Sequence, residues 1–400
     1  MNAHEPSFTC KRKCVEKFFV FHMHARIASL MTVLISAIAF FLLITGLVLI
    51  HELGHFLVAK KAGVTVEEFG FGLPPRACTV FHWRGTDFTI NWIPFGGFVR
   101  LKGENAVTMH DRRQSGSFSA ASIPWRCAIL IAGVAMNFLL AFCIFLYGFS
   151  FGQWIPKYLT LDDMEAAAAS GEIHLRLGVM IDEVLAGGGA FEVQIPKGSF
   201  LFAVDGTPVV RPEDVVAMQT GKKKVTYRFA MKPDGDGAET RTVDVEDGKT
   251  GVYLRSVPLE LSSEPRSVFH AVALSARETS VVTGQTVIGI AKLFTSLASQ
   301  GTVPEGVTGI VGIAQITYAS VQQGFMVYLR LVALLSLSLA VLNILPFPAL
   351  DGGRLAFVLS ELFIRPGSRR FEVLINTVGF VILLLLIVLI TFYDVFRLFR

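Results

Sequence analysis

The chain has 400 residues, of which 52% are hydrophobic and 17% are charged, and its formal net charge is +4. So apolar a composition excludes an ordinary soluble enzyme and indicates a protein of the lipid bilayer, and the length suits two or three domains. The weak positive charge lies beside apolar runs, which argues against a nucleic acid partner.

Residues 1–30 form an N-terminal extension that we expect to be disordered. Met31 then opens an apolar run that ends at Ile50, about 20 residues and therefore long enough to span a bilayer. The run has no small-residue cleavage site, and a motif rich in ionisable residues follows it directly. We therefore interpret it as a membrane span and not as a signal peptide.

That motif is His-Glu-Leu-Gly-His, from His51 to His55. On a helix the two histidines project from the same face, where two imidazoles can bind a zinc ion. Glu52 could then take a proton from a water at the open position of the metal. The alternative is a pair of helix-end histidines at a membrane interface beside a solvated glutamate, but ionisable groups within a span are functional by default.

Residues 64–125 are predicted to contain a β-hairpin whose strands cover 79–83 and 88–92. Gly96 and Gly97 follow, among aromatic residues that suit a membrane interface. Adjacent glycines favour the close approach of another group to the backbone, so both are candidate substrate-binding residues. The alternative is an ordinary β-turn.

The second apolar run, 125–149, completes a first membrane half that covers residues 31–150. Asn137 lies in its middle and must find a hydrogen-bond partner there, because hydrocarbon offers none. Asn137 is therefore either a candidate substrate-binding residue or part of a helix-packing contact together with Gly133.

A soluble α+β domain is predicted for residues 172–260, where charge and glycine content rise and no spanning run occurs. Its predicted elements are a helix over 211–218 and strands over 177–181, 191–195, 200–204, 225–231 and 240–245. An amphipathic helix and linker follow over 266–326. That helix could lie on the membrane or against the soluble domain.

The second membrane half, residues 327–400, contains apolar runs over 327–345 and 371–392. Two prolines break the chain just after the first of these runs. Backbone groups freed by proline must line protein or water inside a membrane, and a water-filled cavity is what a hydrolase needs. Asn343, directly ahead of this break, could bind a substrate backbone or an oxyanion, or it could pair with the freed carbonyls.

The distribution of Lys and Arg places the loops 60–126 and 354–370 on the cytoplasmic side. The first and third spans then run in the same direction, which brings His51, His55 and Asp351 to the same depth. Asp351 is therefore the predicted third zinc ligand, and the site keeps one position open for water. The alternative for Asp351 is a helix-terminating turn at the interface.

The sequence resembles the site-2 proteases, which are intramembrane zinc metalloproteases of the bacterial regulator-of-sigma-E protease type. The resemblance rests on four motifs that occur in the same order as in that family. These motifs are His51–His55, Phe95–Glu104, Gly133–Phe138 and Asn343–Gly352. The resemblance implies His51, His55 and Asp351 as zinc ligands and Glu52 as catalytic base. It also implies that the hairpin presents the substrate as a strand, and that residues 172–260 form a PDZ domain.

The sequence departs from the family pattern in three places. Family members often carry two tandem PDZ domains, and this chain has room for one, which leaves the gating scheme open. Val134 stands where a proline is usual in the second-span motif, and residues 1–30 have no counterpart in the family.

The sequence therefore predicts a polytopic α-helical membrane protein with about four transmembrane helices, a membrane-associated β-hairpin and one soluble α+β PDZ domain. Its predicted place is the bacterial inner (cytoplasmic) membrane, with the PDZ domain periplasmic or extracytoplasmic and the active site near the cytoplasmic side. We expect a Zn²⁺-dependent protease that cleaves the transmembrane segments of single-span proteins, such as an anti-sigma factor or a remnant signal peptide, in regulated intramembrane proteolysis. Peptide or protein termini could bind at the PDZ domain.

Two other classes of function fit parts of the pattern. An ion or metal transporter would spread polar residues along several spans, whereas here they cluster at one depth and the last span is nearly all apolar. A non-catalytic PDZ membrane adaptor would have no need of an intact Glu52.

Overall fold

A computed structural model describes residues 8–104, 114–158, 160–263, 266–304, 306–363 and 369–398. The chain divides into two compact units, residues 1–148 with 267–400 and residues 149–266. The helices are α1 (Phe8–Lys61), α2 (Ile123–Phe151), α3 (Leu161–Ala169), α4 (Gly189–Glu192), α5 (Pro212–Gln219), α6 (Val268–Gln300), α7 (Ile310–Gln323), α8 (Phe325–Ile344), α9 (Asp351–Ser360) and α10 (Arg369–Leu398). The strands are β1 (Val66–Trp83), β2 (Thr86–Leu101), β3 (His174–Val184), β4 (Phe200–Val204), β5 (Thr207–Pro208), β6 (Lys224–Ala230), β7 (Glu239–Asp244) and β8 (Val252–Ser262).

Five helices among the described residues are long and apolar enough to cross a membrane. They are Leu30–Lys61, Ile123–Phe151, Val268–Gln300, Phe325–Ile344 and Phe371–Arg397. Four of them coincide with the apolar runs that the sequence predicts as spans. The additional candidate is α6, which the sequence analysis interprets as an amphipathic helix.

Helix α1 begins much earlier than the apolar run that it contains. The run opens at Met31, but the helix starts at Phe8, within the segment predicted to be a disordered extension. No glycine or proline occurs between Pro6 and Gly46, so no residue in this stretch interrupts a helix once it has formed. Residues 1–7 lie outside the described residues.

Helices α1 and α8 run side by side in the same direction. The Tyr328 hydroxyl donates a 2.8 Å hydrogen bond to the Ala39 carbonyl. Further along both helices, Leu43 and Leu47 pack against Leu331. The two helices are therefore parallel, as the distribution of basic residues predicts. The end of α8 lies at the level of the His51–His55 motif in α1.

The hairpin β1–β2 is longer than the sequence predicts, and both strands bend so that it has four paired parts. The order of these parts across the sheet is 76–83, 86–91, 66–71 and 97–101, and each part pairs with the next. The first part of β1 thus lies between two parts of β2. The last part of β2 is left at one edge of the sheet.

This hairpin is held on α1 by aromatic side chains. Phe56 of α1 meets Phe69 and Phe88 edge-on, with ring centroids 5.6 and 5.7 Å apart. Val66 and Leu101 are buried in the same cluster. Because Phe56 follows the motif by one residue, this packing places the hairpin beside the candidate site.

The second unit is an antiparallel sheet of order β7-β6-β4-β3-β8, with β5 paired to β4. Alternate side chains from its strands form one buried core, whose largest member is Tyr227. The predicted helix over 211–218 and most predicted strands are confirmed. The region fits the predicted α+β class.

One predicted strand of this unit is wrong. Residues 191–195 do not form a strand, because Gly189–Glu192 is a helical turn that buries Ala190. The chain must pass close to β7 here, since a Cβ atom on Gly189 would come within 2.2 Å of the Asp244 carbonyl oxygen. Apolar residues in a tight turn at this contact give a pattern that resembles a short strand.

Candidate metal centre

His51 and His55 lie on one face of α1, as their spacing predicts. Their Nε2 atoms are 3.1 Å apart, and both side chains are buried. Their rings meet edge-on, with centroids 4.8 Å apart. One helix therefore presents two imidazole nitrogens to the same small volume.

Asp351 brings a carboxylate to these nitrogens from a position 300 residues further along the chain. Its Oδ2 atom lies 2.8 Å from His51 Nε2 and 3.2 Å from His55 Nε2. The three side chains are the group of possible metal-binding residues found in the described part of the chain. The structure thus brings together the three residues that the sequence analysis selects as ligands.

A tight turn between α8 and α9 positions Asp351. Ala349 has a φ of +74°, and its N–H donates a 3.2 Å hydrogen bond to Asn376 Oδ1 of α10. Gly352 and Gly353 pack directly against the backbone of the turn, where a Cβ atom on either would come within 2.2 Å of a carbonyl oxygen. The residues around the carboxylate are therefore restricted by close backbone contacts.

The three donor atoms fit a zinc ion. Two imidazole nitrogens and one carboxylate oxygen are a common zinc-binding set, and ligand atoms at roughly 2.0–2.1 Å in a tetrahedron are about 3.3 Å from one another. The observed separations of 2.8, 3.1 and 3.2 Å are close to this value. The open fourth position of such a site is where a catalytic zinc accepts water or substrate.

Helix α2 forms the wall behind the two histidines. The Nδ1 atom of His55 donates a 2.8 Å hydrogen bond to the Ile129 carbonyl. One turn further along α2, Gly133 faces both rings, and a Cβ atom there would lie 2.4 Å from His55 Nε2 and 2.8 Å from His51 Nε2. Another turn on, Asn137 is fully buried with Nδ2 3.4 Å from His51 Nδ1.

Glu52 points away from α2 and towards the hairpin. Its Oε2 atom accepts a 3.0 Å hydrogen bond from the backbone N–H of Val99. Val99 lies in the edge part of β2, so this sheet edge reaches the carboxylate next to the metal-binding group. The sequence carries no signal for this contact, because it joins a helix and a strand through a backbone atom.

The two glycines of β2 allow the hairpin to lie against α1. A Cβ atom on Gly97 would come within 2.7 Å of Leu49 Cδ2 and 2.9 Å of the Gly70 carbonyl oxygen. Gly96 has a φ of +73° and lies near Val48. The close approach that the sequence predicts at these glycines therefore involves α1 and β1, and their predicted role in binding substrate stays a prediction.

Asn343 lies near the end of α8, eight residues before Asp351. Its side chain is half-buried, and no hydrogen bond joins it to the residues described. Both roles that the sequence suggests for this amide, binding the substrate and pairing with backbone carbonyls released by the prolines, stay predictions.

Arg354 is a residue near the site that the sequence analysis did not identify. Its guanidinium forms an ion pair with Glu104 beyond the end of β2. This pair links α9, which begins at Asp351, to the chain that leaves the hairpin. The sequence feature that could have pointed to Arg354 is its position three residues after the predicted ligand Asp351.

Two buried imidazoles and a carboxylate, close to helices that are apolar enough to cross a membrane, are the arrangement expected of a membrane-embedded metallopeptidase. The chain belongs to Peptidase family M50, whose profile matches residues 39–386. Membership confirms the enzyme class that the sequence predicts and the resemblance to site-2 proteases, and it does not favour a transporter or an adaptor.

Relatives match over most of their length. A Clostridium perfringens protein assigned by name as a zinc metalloprotease is 30% identical over 88% of this chain and 96% of its own. The zinc metalloprotease RasP of Geobacillus kaustophilus is 25% identical over 91% and 98% of the two chains. The regulator of sigma-W protease RasP of Bacillus subtilis is 25% identical over 91% and 99%. The names of these relatives agree with the predicted zinc cofactor. Together with the apolar helices, the relatives indicate that this chain is a bacterial membrane protein.

Proposed function

We propose that this chain is an intramembrane zinc protease in which His51, His55 and Asp351 hold the metal and Glu52 is the general base. The observation that supports it most directly is the convergence of three donor atoms, with separations of 2.8–3.2 Å, from two distant parts of the chain. A half-buried carboxylate against two buried imidazoles is costly to maintain without a bound cation or a functional need.

When bound, zinc supplies Lewis-acid activation of water and of a peptide carbonyl. Glu52 takes the proton of the attacking water and returns it to the departing amine. The backbone N–H of Val99 donates a hydrogen bond to Glu52 Oε2. This hydrogen bond orients the carboxylate and leaves Oε1 to accept the proton. The half-buried Asn343 amide donates to the oxyanion that develops on the substrate carbonyl.

The proposed topology has four spans, namely α1, α2, α8 and α10. Because α1 and α8 run in the same direction, the chain between them must cross the membrane an odd number of times, and α2 supplies one crossing. If α6 crossed the membrane as well, another element between α1 and α8 would have to cross it in the opposite direction. Among the residues described between α6 and α8, the only helix is α7, whose 14 residues span about 21 Å, less than the roughly 30 Å of a bilayer core.

The substrates we propose are single-span membrane proteins, such as an anti-sigma factor or a remnant signal peptide. The Bacillus subtilis relative is named for regulation of sigma-W, which supports the first of these. The edge part of β2 lies beside Glu52, where an extended substrate segment could add as a further strand. The proposed PDZ domain, residues 172–260, lies on the extracytoplasmic side, where it would control access and could bind peptide or protein termini.

A paired experiment tests these roles. The full chain is purified in detergent as wild type, Glu52→Gln and His51→Ala, and each form is assayed for bound zinc and for cleavage of a tagged single-span protein. We expect Glu52→Gln to keep stoichiometric zinc and lose cleavage, and His51→Ala to lose both. Cleavage by Glu52→Gln removes Glu52 from the mechanism, and tight zinc in His51→Ala removes His51 from the metal site.

A further inference from the structure

Asn137 is the one fully buried amide that faces the metal-binding group among the described residues. It lies in the middle of α2, and its Nδ2 atom is 3.4 Å from His51 Nδ1. With the amide in this orientation, its Oδ1 atom is buried without a hydrogen-bond partner. A buried amide oxygen without a partner costs about 1–3 kcal/mol, so the orientation needs an explanation.

The chemistry of a ligand histidine supplies that explanation. His51 directs Nε2 at Asp351 and His55, so Nδ1 is the ring nitrogen that faces Asn137. A neutral imidazole whose Nε2 lone pair binds a metal carries its hydrogen on Nδ1. The group opposite Nδ1 must then be an acceptor, which the NH₂ group of an amide is not.

A half turn of the Asn137 amide matches its oxygen to the Nδ1–H of His51. The oxygen and nitrogen ends of an amide have the same shape, and their assignment depends on the hydrogen-bond network. Turned by 180° about its Cβ–Cγ bond, the amide places Oδ1 against the Nδ1–H of His51. The buried oxygen then has a donor, and the histidine has an acceptor.

The neighbouring histidine shows the same arrangement with a group that can only accept. His55 Nδ1 is 2.8 Å from the Ile129 carbonyl oxygen, so its hydrogen is on Nδ1 and its Nε2 lone pair is available. Ile129, Gly133 and Asn137 are spaced by four residues on one face of α2. The two outer residues bind the two imidazoles, and the glycine between them leaves room for their Nε2 atoms.

We infer that Asn137 is a positioning residue that accepts the Nδ1–H of His51 and holds this ring in the tautomer and orientation that bind zinc. This assignment replaces the substrate-binding role that the sequence analysis considered for Asn137. It rests on the proposed function in so far as it requires His51 to be a zinc ligand. Outer hydrogen-bond partners of metal-binding histidines act in this way in general.

Substitutions of Asn137 test whether its side chain acts as a hydrogen-bond acceptor or as a donor. Asn137→Asp keeps the shape and, as a carboxylate, can only accept. Asn137→Leu keeps the approximate volume and can do neither. Ser336→Ala is the matched control, because Ser336 is equally buried and its hydroxyl donates a 2.8 Å hydrogen bond to the backbone carbonyl of Asn137, not to its side chain.

The zinc dissociation constant of the full chain in detergent is measured by competition with a chelator, and the visible spectrum of the cobalt(II)-substituted protein is recorded. We expect Asn137→Leu to weaken zinc binding by about 10–100-fold, Asn137→Asp to bind at least as tightly as wild type, and Ser336→Ala to match wild type. The cobalt spectrum should change in the leucine variant and be retained in the aspartate variant. Thermal unfolding with excess chelator checks that each metal-free variant is folded.

Two results would overturn the inference. Wild-type zinc affinity in Asn137→Leu would show that no positioning is needed. Equal losses in the leucine and aspartate variants would show that Asn137 acts as a donor or through packing. Failure of the proposed function gives a separate result, namely tight zinc binding by His51→Ala, whatever the Asn137 variants show.

Discussion

The backbone N–H of Val99 donates a 3.0 Å hydrogen bond to the side chain of Glu52. This contact joins the edge part of the hairpin to the proposed general base. A backbone donor cannot rotate away, so it fixes one carboxylate oxygen more firmly than a flexible side chain would. Movement of the hairpin edge therefore alters the position of the base.

Removing this donor tests the contact. Val99→Pro deletes the N–H, and the sheet loses no bond because the N–H points to Glu52. A hydrogen bond to a charged group contributes ~1.5–3 kcal/mol, so we expect kcat for a single-span substrate to fall about 10–100-fold while bound zinc stays unchanged. Val99→Ala keeps the N–H and is the control. Equal activity of the two variants would show that the bond does not orient Glu52.

Gly133 is expected to be required for tight metal binding. In Gly133→Ala the new methyl group would lie 2.4 Å from His55 Nε2, so the helices must separate or the ring must turn. We predict that zinc affinity falls by more than about 10-fold, as measured by chelator competition.

The control for this prediction is Gly46→Ala in α1, where a Cβ atom has no neighbour within 4 Å. This variant should bind zinc normally, and the better helix former should stabilise α1 by up to ~1 kcal/mol. Wild-type zinc affinity in Gly133→Ala would mean that α2 does not pack on the histidines as the structure has it.

Gly97→Ala is predicted to impair catalysis without loss of metal. Its methyl group would meet the Gly70 carbonyl at 2.9 Å and Leu49 at 2.7 Å, which pushes the edge of β2 away from α1. Misplacement by about 1 Å can cost roughly 100-fold in rate, so we expect slow cleavage with full zinc occupancy. Gly85→Ala at the hairpin turn meets no neighbour. It should lose about 1–2 kcal/mol of stability, because Gly85 has a φ of +77°, and it should retain activity. Equal rates for the two variants would contradict this account.

Tyr227 is predicted to make the second unit sensitive to alkaline pH. Burial raises the pKa of Tyr227 to about 12, although the Thr250 hydroxyl partly opposes this shift. The folded state thus binds this proton more tightly than the unfolded state does. The stabilisation is complete below pH ~10, where an unfolded tyrosine titrates, and it is lost as pH rises towards 12.

The ultraviolet difference titration of wild type against Tyr227→Phe measures this directly. The difference between the two curves should show one tyrosine that ionises near pH 12, or only with unfolding. Ionisation at the ordinary pKa in the folded protein would contradict the burial of the Tyr227 hydroxyl between Gln219 and Thr250.

Much of the candidate site follows from local sequence. A spacing of four residues puts His51 and His55 on one helix face whatever the rest of the chain does, and the length of each apolar run indicates a span. The pairing of Asp351 with the histidines needed one further step, the direction of the spans, which the basic residues supply. Local periodicity was a poorer guide at residues 191–195, where a close backbone contact turned an apparent strand into a helical turn.

The groups that orient the site were decided by tertiary structure alone. The Ile129 carbonyl and the Val99 N–H are backbone groups of a kind that almost every residue has, so no residue type announces them. They become specific only when α2 and the hairpin pack at particular distances on α1. The sequence by itself determined which side chains can hold a metal, because spacing along a helix is local, whereas packing between distant segments determined their orientation and which partners fix it.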